Sequence, residues 1–273
     1  MMLQELRHFL LIEAHGTFTA AAREAHLSQP ALTASIRRLE ERCGARVLHR
    51  GQRGATLTAE GEALLPRARA AITAFEDGLR AVAEVSRLDA GRVCLGAGAT
   101  VSTFLLPPIL AAFARQHPAV RYELRESTTV QSLMAVERGD LDLAIVADGP
   151  GERWRTDELI LVGRPGDVAD NAAFVTLGRG TTTRAHLDRL FPEADVVMEL
   201  NSISAVKANV RAGVGIALLS RAAVERDLVD GLLVALPDAR VPIRREFSLV
   251  HRGIDRLPPA TAALRRMLLD PST

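Results

Sequence analysis

The stretch Phe18–Gly44, FTAAAREAHLSQPALTASIRRLEERCG, decides how the chain is read. It divides into two helices around a short polar break. Thr17 or Thr19 can cap the first helix, whose small residues Ala21, Ala22 and Ala25 let another helix approach closely. Leu27 closes it. Ser28 caps the second helix, and Pro30 falls in its first turn, where the missing N–H has no intrahelical acceptor to lose. Leu32, Ile36, Leu39 and Cys43 then form one apolar stripe. The opposite side carries Pro30, Thr33, Ala34, Arg37 and Arg38. A merely solvated face would favour Glu and Lys. A helix lying in a DNA groove needs short side chains near the base edges, hydrogen-bonding groups such as Gln29 and Thr33, and arginines for phosphates.

The flanking sequence supports that reading. Leu3, Leu6, Phe9 and Leu10 recur at helical spacing and predict a first helix ending near Gly16. Val47–His49 and Ala55–Leu57 are strand candidates around Arg50-Gly51-Gln52-Arg53-Gly54, a hairpin tip with two arginines. Three helices followed by a basic hairpin is the order of a winged helix-turn-helix, in which one helix enters the major groove and the wing grips the backbone. The net charge of the chain is only +1, yet Arg37, Arg38, Arg42, Arg46, Arg50 and Arg53 are opposed locally by Glu40 and Glu41 alone. From Thr58 helical character continues to about Arg87, with Leu65, Ala68, Ile72, Phe75, Leu79 and Val82 forming a heptad seam. A helix of roughly thirty residues spans about 45 Å, too long to bury within one small domain. It predicts a coiled-coil dimer, which would set two reading heads on the two halves of an interrupted palindromic operator.

The remaining chain is an α/β alternation. With 273 residues and 48% hydrophobic residues the chain suits two or three domains with sizeable cores. Strand candidates at Arg92–Ala97, Val120–Glu126 and Leu141–Ala147 alternate with helices at Phe104–Gln116 and Val130–Arg138, which means a mainly parallel sheet. A second unit has strands near Glu158–Val162, Phe174–Leu177 and Val196–Glu199. Its helices lie near Arg184–Leu190 and Ser204–Ala212, and Gly213–Leu219 turns into a buried strand. Ligands in such sheets sit beyond the carboxyl ends of strands, where helix N-termini present free N–H groups. Hydroxyl-rich loops stand there: Ala99-Thr100-Val101-Ser102-Thr103, Ser127-Thr128-Thr129, Asn201-Ser202-Ile203-Ser204 and Gly180-Thr181-Thr182-Thr183-Arg184. With no acidic cluster beside them, they predict a pocket for a small anion or carboxylate held by Ser102, Thr103, Thr128 and backbone N–H groups.

Other function classes lack their residues. No apolar run reaches the roughly 18 residues of a membrane span, and the N-terminus does not read as a signal peptide, so cytoplasm is the expected location and a membrane is no partner. The two cysteines, Cys43 and Cys94, are far apart and read as buried thiols rather than a disulfide or metal pair. Gly96-Ala97-Gly98 follows a strand, but Val101 stands where a dinucleotide fingerprint needs its third glycine. The seven histidines are scattered, and no Gly-x-Ser-x-Gly elbow occurs. Neither an enzyme nor a cofactor is predicted. An exported solute-binding protein would share the α/β region but would not begin with a helix-turn-helix.

The segment Phe9–Glu62 resembles the DNA-binding domain of LysR-type transcriptional regulators. The likeness rests on Phe18-Thr19-Ala20-Ala21-Ala22, Leu27-Ser28-Gln29-Pro30-Ala31-Leu32, Ile36-Arg37-Arg38-Leu39-Glu40 and Leu57-Thr58-Ala59-Glu60-Gly61. It implies that Ser28, Gln29, Pro30, Thr33, Ala34, Arg37, Arg38, Arg50 and Arg53 face double-stranded DNA. It further implies an α+β multidomain fold: a winged helix-turn-helix at 1–58, a linker and dimerisation helix at 59–88, and an effector region built like a type 2 periplasmic binding protein. Of the effector region's two subdomains, I would comprise 91–147 with 247–273, and II would comprise 148–246. The effector would lie between them against Thr100, Ser102, Thr103, Thr128, Thr129, Asn201, Ser202 and Ile203. A homodimer or homotetramer and contact with RNA polymerase follow from the same resemblance. Thr100–Pro107 resembles the branch of the family that controls carbon fixation and sulfur assimilation. Two stretches, Asp148–Asp157 and Pro165–Phe174, are shorter than the family pattern and imply a trimmed subdomain II with a more open cleft. A regulator that binds DNA but no longer senses a small molecule is the alternative.

Overall fold

The computed structural model describes residues 2–51, 54–86 and 91–270. The chain divides into two compact units, one ending at Ala83 and one beginning at Glu84.

In the first unit α1 (Met2–His15), α2 (Phe18–Glu24) and α3 (Gln29–Cys43) surround one core. Phe9, Ile12, Ala21, Leu32 and Ile36 are fully enclosed there. Thr17 caps α2 by accepting the Ala20 N–H, and Ser28 caps α3 by accepting that of Ala31. Strands β1 (Leu48–Gly51) and β2 (Gly54–Leu57) pair antiparallel as the wing. Helix α4 (Ala59–Ser86) starts at Thr58, whose hydroxyl accepts the Gly61 N–H and donates to the Arg46 carbonyl. Gly61 is required by packing, because a Cβ there would stand 2.1 Å from the Val47 carbonyl oxygen.

Two expectations change here. Cys43 is exposed and only Cys94 is buried, since α3 outlasts the core beneath its last turn. The heptad seam also divides. Ala68 and Ile72 are buried, with Leu65 packed beside them, in the core of their own domain, whereas Phe75, Leu79 and Val82 are exposed. The first half of the seam is thus already used within the chain.

The second unit is built on one seven-stranded sheet. β3 (Arg92–Ala97) pairs in parallel with β4 (Arg121–Glu126) and β5 (Leu143–Ala147). Beside β5 runs β11 (Ile243–Val250), antiparallel to it and to β6 (Glu152–Gly163). β6 in turn pairs with β9 (Ala217–Ser220) and β10 (Val234–Leu236). A second, parallel pair, β7 (Ala173–Leu177) with β8 (Asp195–Leu200), completes subdomain II. A π-helical turn (Val101–Leu105) leads into α5 (Leu106–Gln116), whose apolar face meets that of α10 (Pro259–Leu269) over the sheet. α6 (Thr129–Arg138) covers the other face of subdomain I. α7 (Thr182–Leu190), α8 (Ile203–Ala212) and α9 (Arg221–Val229) pack on subdomain II.

The last strand returns to subdomain I as the resemblance implies, but it begins earlier, at Ile243. β6 likewise begins earlier than expected, at Glu152. These two long strands run side by side from Glu152–Leu249 to Leu159–Ile243 and join the subdomains as a paired hinge. α9 and β10 are additional elements. Arg221–Val229 carries charges around too much of its surface to show a helical stripe, and β10 has three residues.

Candidate functional site

α3 presents a continuous exposed face. Ser28, Gln29, Pro30, Ala34, Arg37 and Arg38 are exposed and Thr33 is half-buried, while Leu32, Ile36 and Leu39 point into the core. Arg53 lies outside the described residues, as does the side chain of Arg50. Behind this face sits a polar layer that local periodicity does not show. Glu5 of α1 is buried; its Oε1 accepts a hydrogen bond from Arg38 Nε at 3.1 Å, and its Oε2 lies 3.3 Å from Arg42 Nε as an ion pair. His8 Nδ1 meets Ser35 Oγ at 2.7 Å, with Gln4 Nε2 3.2 Å from the other ring nitrogen. Burial, and then the Arg38 charge, push the His8 pKa down against the opposing pull of Glu5.

The second site is a cavity of about 260 Å³ between the two subdomains. The ends of β3, β4, β7 and β8 converge on it, so the starts of the following helices do as well. Thr100, Thr128, Thr129, Asn201 and Ile203 line it, joined by Thr181, Thr182 and Thr183 from the start of α7. Ser102, Thr103 and Ser202 do not. Ser102 is half-buried, its hydroxyl donating to Glu126 Oε2 at 3.0 Å and to the Ala99 carbonyl at 3.2 Å, and Thr103 and Ser202 are exposed. Glu126 itself reaches the cavity wall, so one carboxylate stands beside the hydroxyls. Thr128 caps α6 in a reciprocal arrangement with Gln131, another lining residue. Lys207 lies elsewhere, donating to the Ala223 carbonyl and to Asp227, each at 2.8 Å. Burial, followed by the Arg211 charge, lowers its pKa.

The floor of the cavity contains a buried cation. Arg245 projects from β11 and gives Nε to Asp157 Oδ2 at 2.8 Å, Nη2 to Thr100 at 3.1 Å and Nη1 to Thr183 at 3.4 Å. It therefore bonds hydroxyls of both subdomains. Asp157 neutralises its charge and accepts a further bond from Ser220 at 2.9 Å. Arg184, also buried, bonds Asp188 at 2.7 Å and Glu199 at 2.5 Å, tying the start of α7 to the end of β8.

Residues 3–62 match the profile of the bacterial regulatory helix-turn-helix protein, lysR family, and residues 86–271 match that of the LysR substrate binding domain. The chain belongs to the LysR family of DNA-binding transcriptional regulators.

Relatives include proteins named "Probable RuBisCO transcriptional regulator". That of Synechocystis sp. is 31% identical, over 98% of this chain and 85% of its own length. That of Nostoc sp. is 30% identical, over 91% and 82%. The fold is shared with a full-length OxyR from Pseudomonas aeruginosa (21% identity, 98% and 93% covered, TM-score 0.64) and with full-length CbnR complexed with its target DNA (20%, 98% and 99%, TM-score 0.64). LysR-type regulators are not enzymes, and no helix among the described residues is long and apolar enough to cross a membrane.

In this LysR-type chain, the sequence did not single out Arg245 and Arg179 in the cleft or Glu5 in the reading head, and it showed Arg42 only as part of a local basic excess. Arg245 lies 145 residues from Thr100, and Glu5 lies 33 from Arg38, distances that no helical or strand period spans. Asp157 stands among Glu152, Arg153, Arg155 and Glu158 in β6, and Arg245 between Arg244 and Glu246 in β11, so no charge pattern singles out the pair.

Proposed function

We propose that the protein binds an interrupted palindromic operator as a dimer or dimer of dimers, and that a small, oxygen-rich anion in the interlobe cleft adjusts this binding. The observation that carries the effector reading is the convergence of three helix starts, those of α6, α7 and α8, on one cavity lined with threonines. Helix N-termini favour negative charge through free N–H groups and the dipole. Because Asp157 already neutralises Arg245, these N–H groups, the threonine hydroxyls and Arg179 at the rim are left to meet the ligand's charge. A ligand touching Thr100 and Thr183 would act on both hydroxyl partners of Arg245 at once and shift the lobes about the β6–β11 hinge.

The experiment is thermal unfolding of the full chain against a panel of small carboxylates and phosphorylated metabolites. A ligand at 100 times its Kd adds about 2.7 kcal/mol. The expected result is a raised Tm with at least one member, lost in Thr128→Ala but kept in Ser102→Ala. An equal response in the Thr128 variant would exclude the cleft.

For self-association the exposed Phe75, Leu79 and Val82 of α4 support pairing with the same helix of a second copy. Sedimentation of Phe75→Asp should give a smaller species than wild type, and an unchanged mass would remove α4 as the contact. The names of the relatives make promoters of carbon-fixation genes the first operators to try. Thr33→Ala should weaken operator retardation, and Arg37→Ala should weaken it while also lowering its salt dependence.

A further inference from the structure

We infer that Glu5 is a positioning residue for DNA binding, its buried carboxylate holding Arg38 by a hydrogen bond and Arg42 by ion pairing so that both guanidiniums form a preset phosphate clamp. This rests on α3 being the DNA-reading helix. Oε1 accepts a hydrogen bond from Arg38 Nε at 3.1 Å, and Oε2 forms an ion pair with Arg42 Nε at 3.3 Å without a hydrogen bond. The carboxylate side chain is 2% exposed, whereas the two arginine side chains are 50% and 49% exposed. The inner edges of the guanidiniums are thus fixed from inside the protein while their outer parts stay in solvent. Arg38 and Arg42 lie one turn apart on the same side of α3, next to the exposed face that holds Ala34 and Arg37.

A carboxylate buried under a DNA-binding helix needs a reason. Taken as a charge, it repels phosphate, and a buried carboxylate is unfavourable unless paired. Taken as an anchor, it removes the disorder of two long side chains before DNA arrives, which lowers the ordering penalty at binding. The guanidinium suits this use, since its five N–H groups let it bond a carboxylate through one edge and a phosphate through another. His8, bonded to Ser35, secures α1 against α3 one turn along from Glu5.

The two roles of Glu5 predict effects of opposite sign. Phosphate contacts are independent of sequence, so a mixed-sequence duplex is a sufficient probe. Binding of the full chain to this duplex is measured across a salt series for wild type, Glu5→Gln, Arg42→Gln and Arg37→Gln, with thermal melting to confirm folding. Arg42→Gln, at the exposed end of α3, should fold normally and reduce the salt slope by about 0.9, one phosphate contact. Glu5→Gln should bind about tenfold more weakly, the equivalent of two side chains to be ordered at binding, although it adds a net positive charge. Binding by Glu5→Gln as tight as or tighter than wild type would overturn the inference. So would an unchanged slope in Arg42→Gln, which also decides the matter if the Glu5 variant does not fold. If Arg37→Gln alone lowers the slope, α3 remains the reading helix and only the clamp is wrong. If no variant changes it, the assignment of α3 fails and the clamp fails with it.

Discussion

The reading head and the effector region each contain a buried ion pair, and the two are used differently. In the reading head the buried partner is the anion: Glu5 is enclosed while Arg38 and Arg42 stay half in water. In the effector region both partners are enclosed, Arg245 at 3% exposure and Asp157 at 4%, and the spare donors of the arginine go to Thr100 and Thr183. The first arrangement leaves the cations at the solvent. The second joins two lobes and leaves no charge over. Burial of the cation therefore separates an open pair from an enclosed joint.

Breaking the enclosed pair should have the largest effect. Arg245→Met leaves Asp157 buried without its partner and should lower unfolding free energy by about 3–5 kcal/mol, read by denaturant titration of the effector region. Replacing both, Arg245→Met with Asp157→Leu, should recover most of that loss while abolishing ligand-dependent stabilisation. If the single substitution were harmless, the joint would be dispensable. Glu5→Gln should be milder, about 1 kcal/mol, because the freed arginines can rehydrate. A loss as large as that of Arg245→Met would mean the head relies on this pair for its fold as well.

The smallest effect concerns pH. The His8 pKa is lowered chiefly by burial, with Arg38 adding to the shift and Glu5 opposing it. A histidine whose pKa is lower folded than unfolded binds fewer protons in the native state. Its contribution to stability is present above the ordinary histidine range and lost as pH falls through and below it. Melting of His8→Gln should accordingly lose less stability than wild type between about pH 7.5 and pH 5.5. Parallel curves would show that the ring carries no such penalty.

Much of the reading head is legible before any coordinates, because its signals are local. Ser28 and Pro30 mark a helix start, Leu32, Ile36 and Leu39 mark its buried side, and both act within a turn or two. The threonine loops of the cleft are legible for the same reason, as helix starts. Ser102 and Thr103 show the limit of that rule. Both sit at a helix start beside the cavity, yet neither lines it, and the Ser102 hydroxyl is taken by Glu126 and the Ala99 carbonyl. Leu65, Ala68 and Ile72 show another, since a heptad seam looks the same whether a second copy or the chain's own core fills it. Arg245 and Glu5 depend on pairing between distant strands and helices, which short-range patterns do not encode.

The hinge strand β11 also orders events at the ribosome. β5 acquires its neighbour on that side only when Ile243–Val250 has been made, and the core beneath it closes only with Leu264 and Leu268 of α10. The lobe begun first in synthesis is thus finished last. A chain cut short by a premature stop before Ile243 would carry β5 as an open, apolar strand edge, the kind that recruits other chains. Such fragments should be found in aggregates and cleared by proteases, not persist as a free reading head competing for the operator.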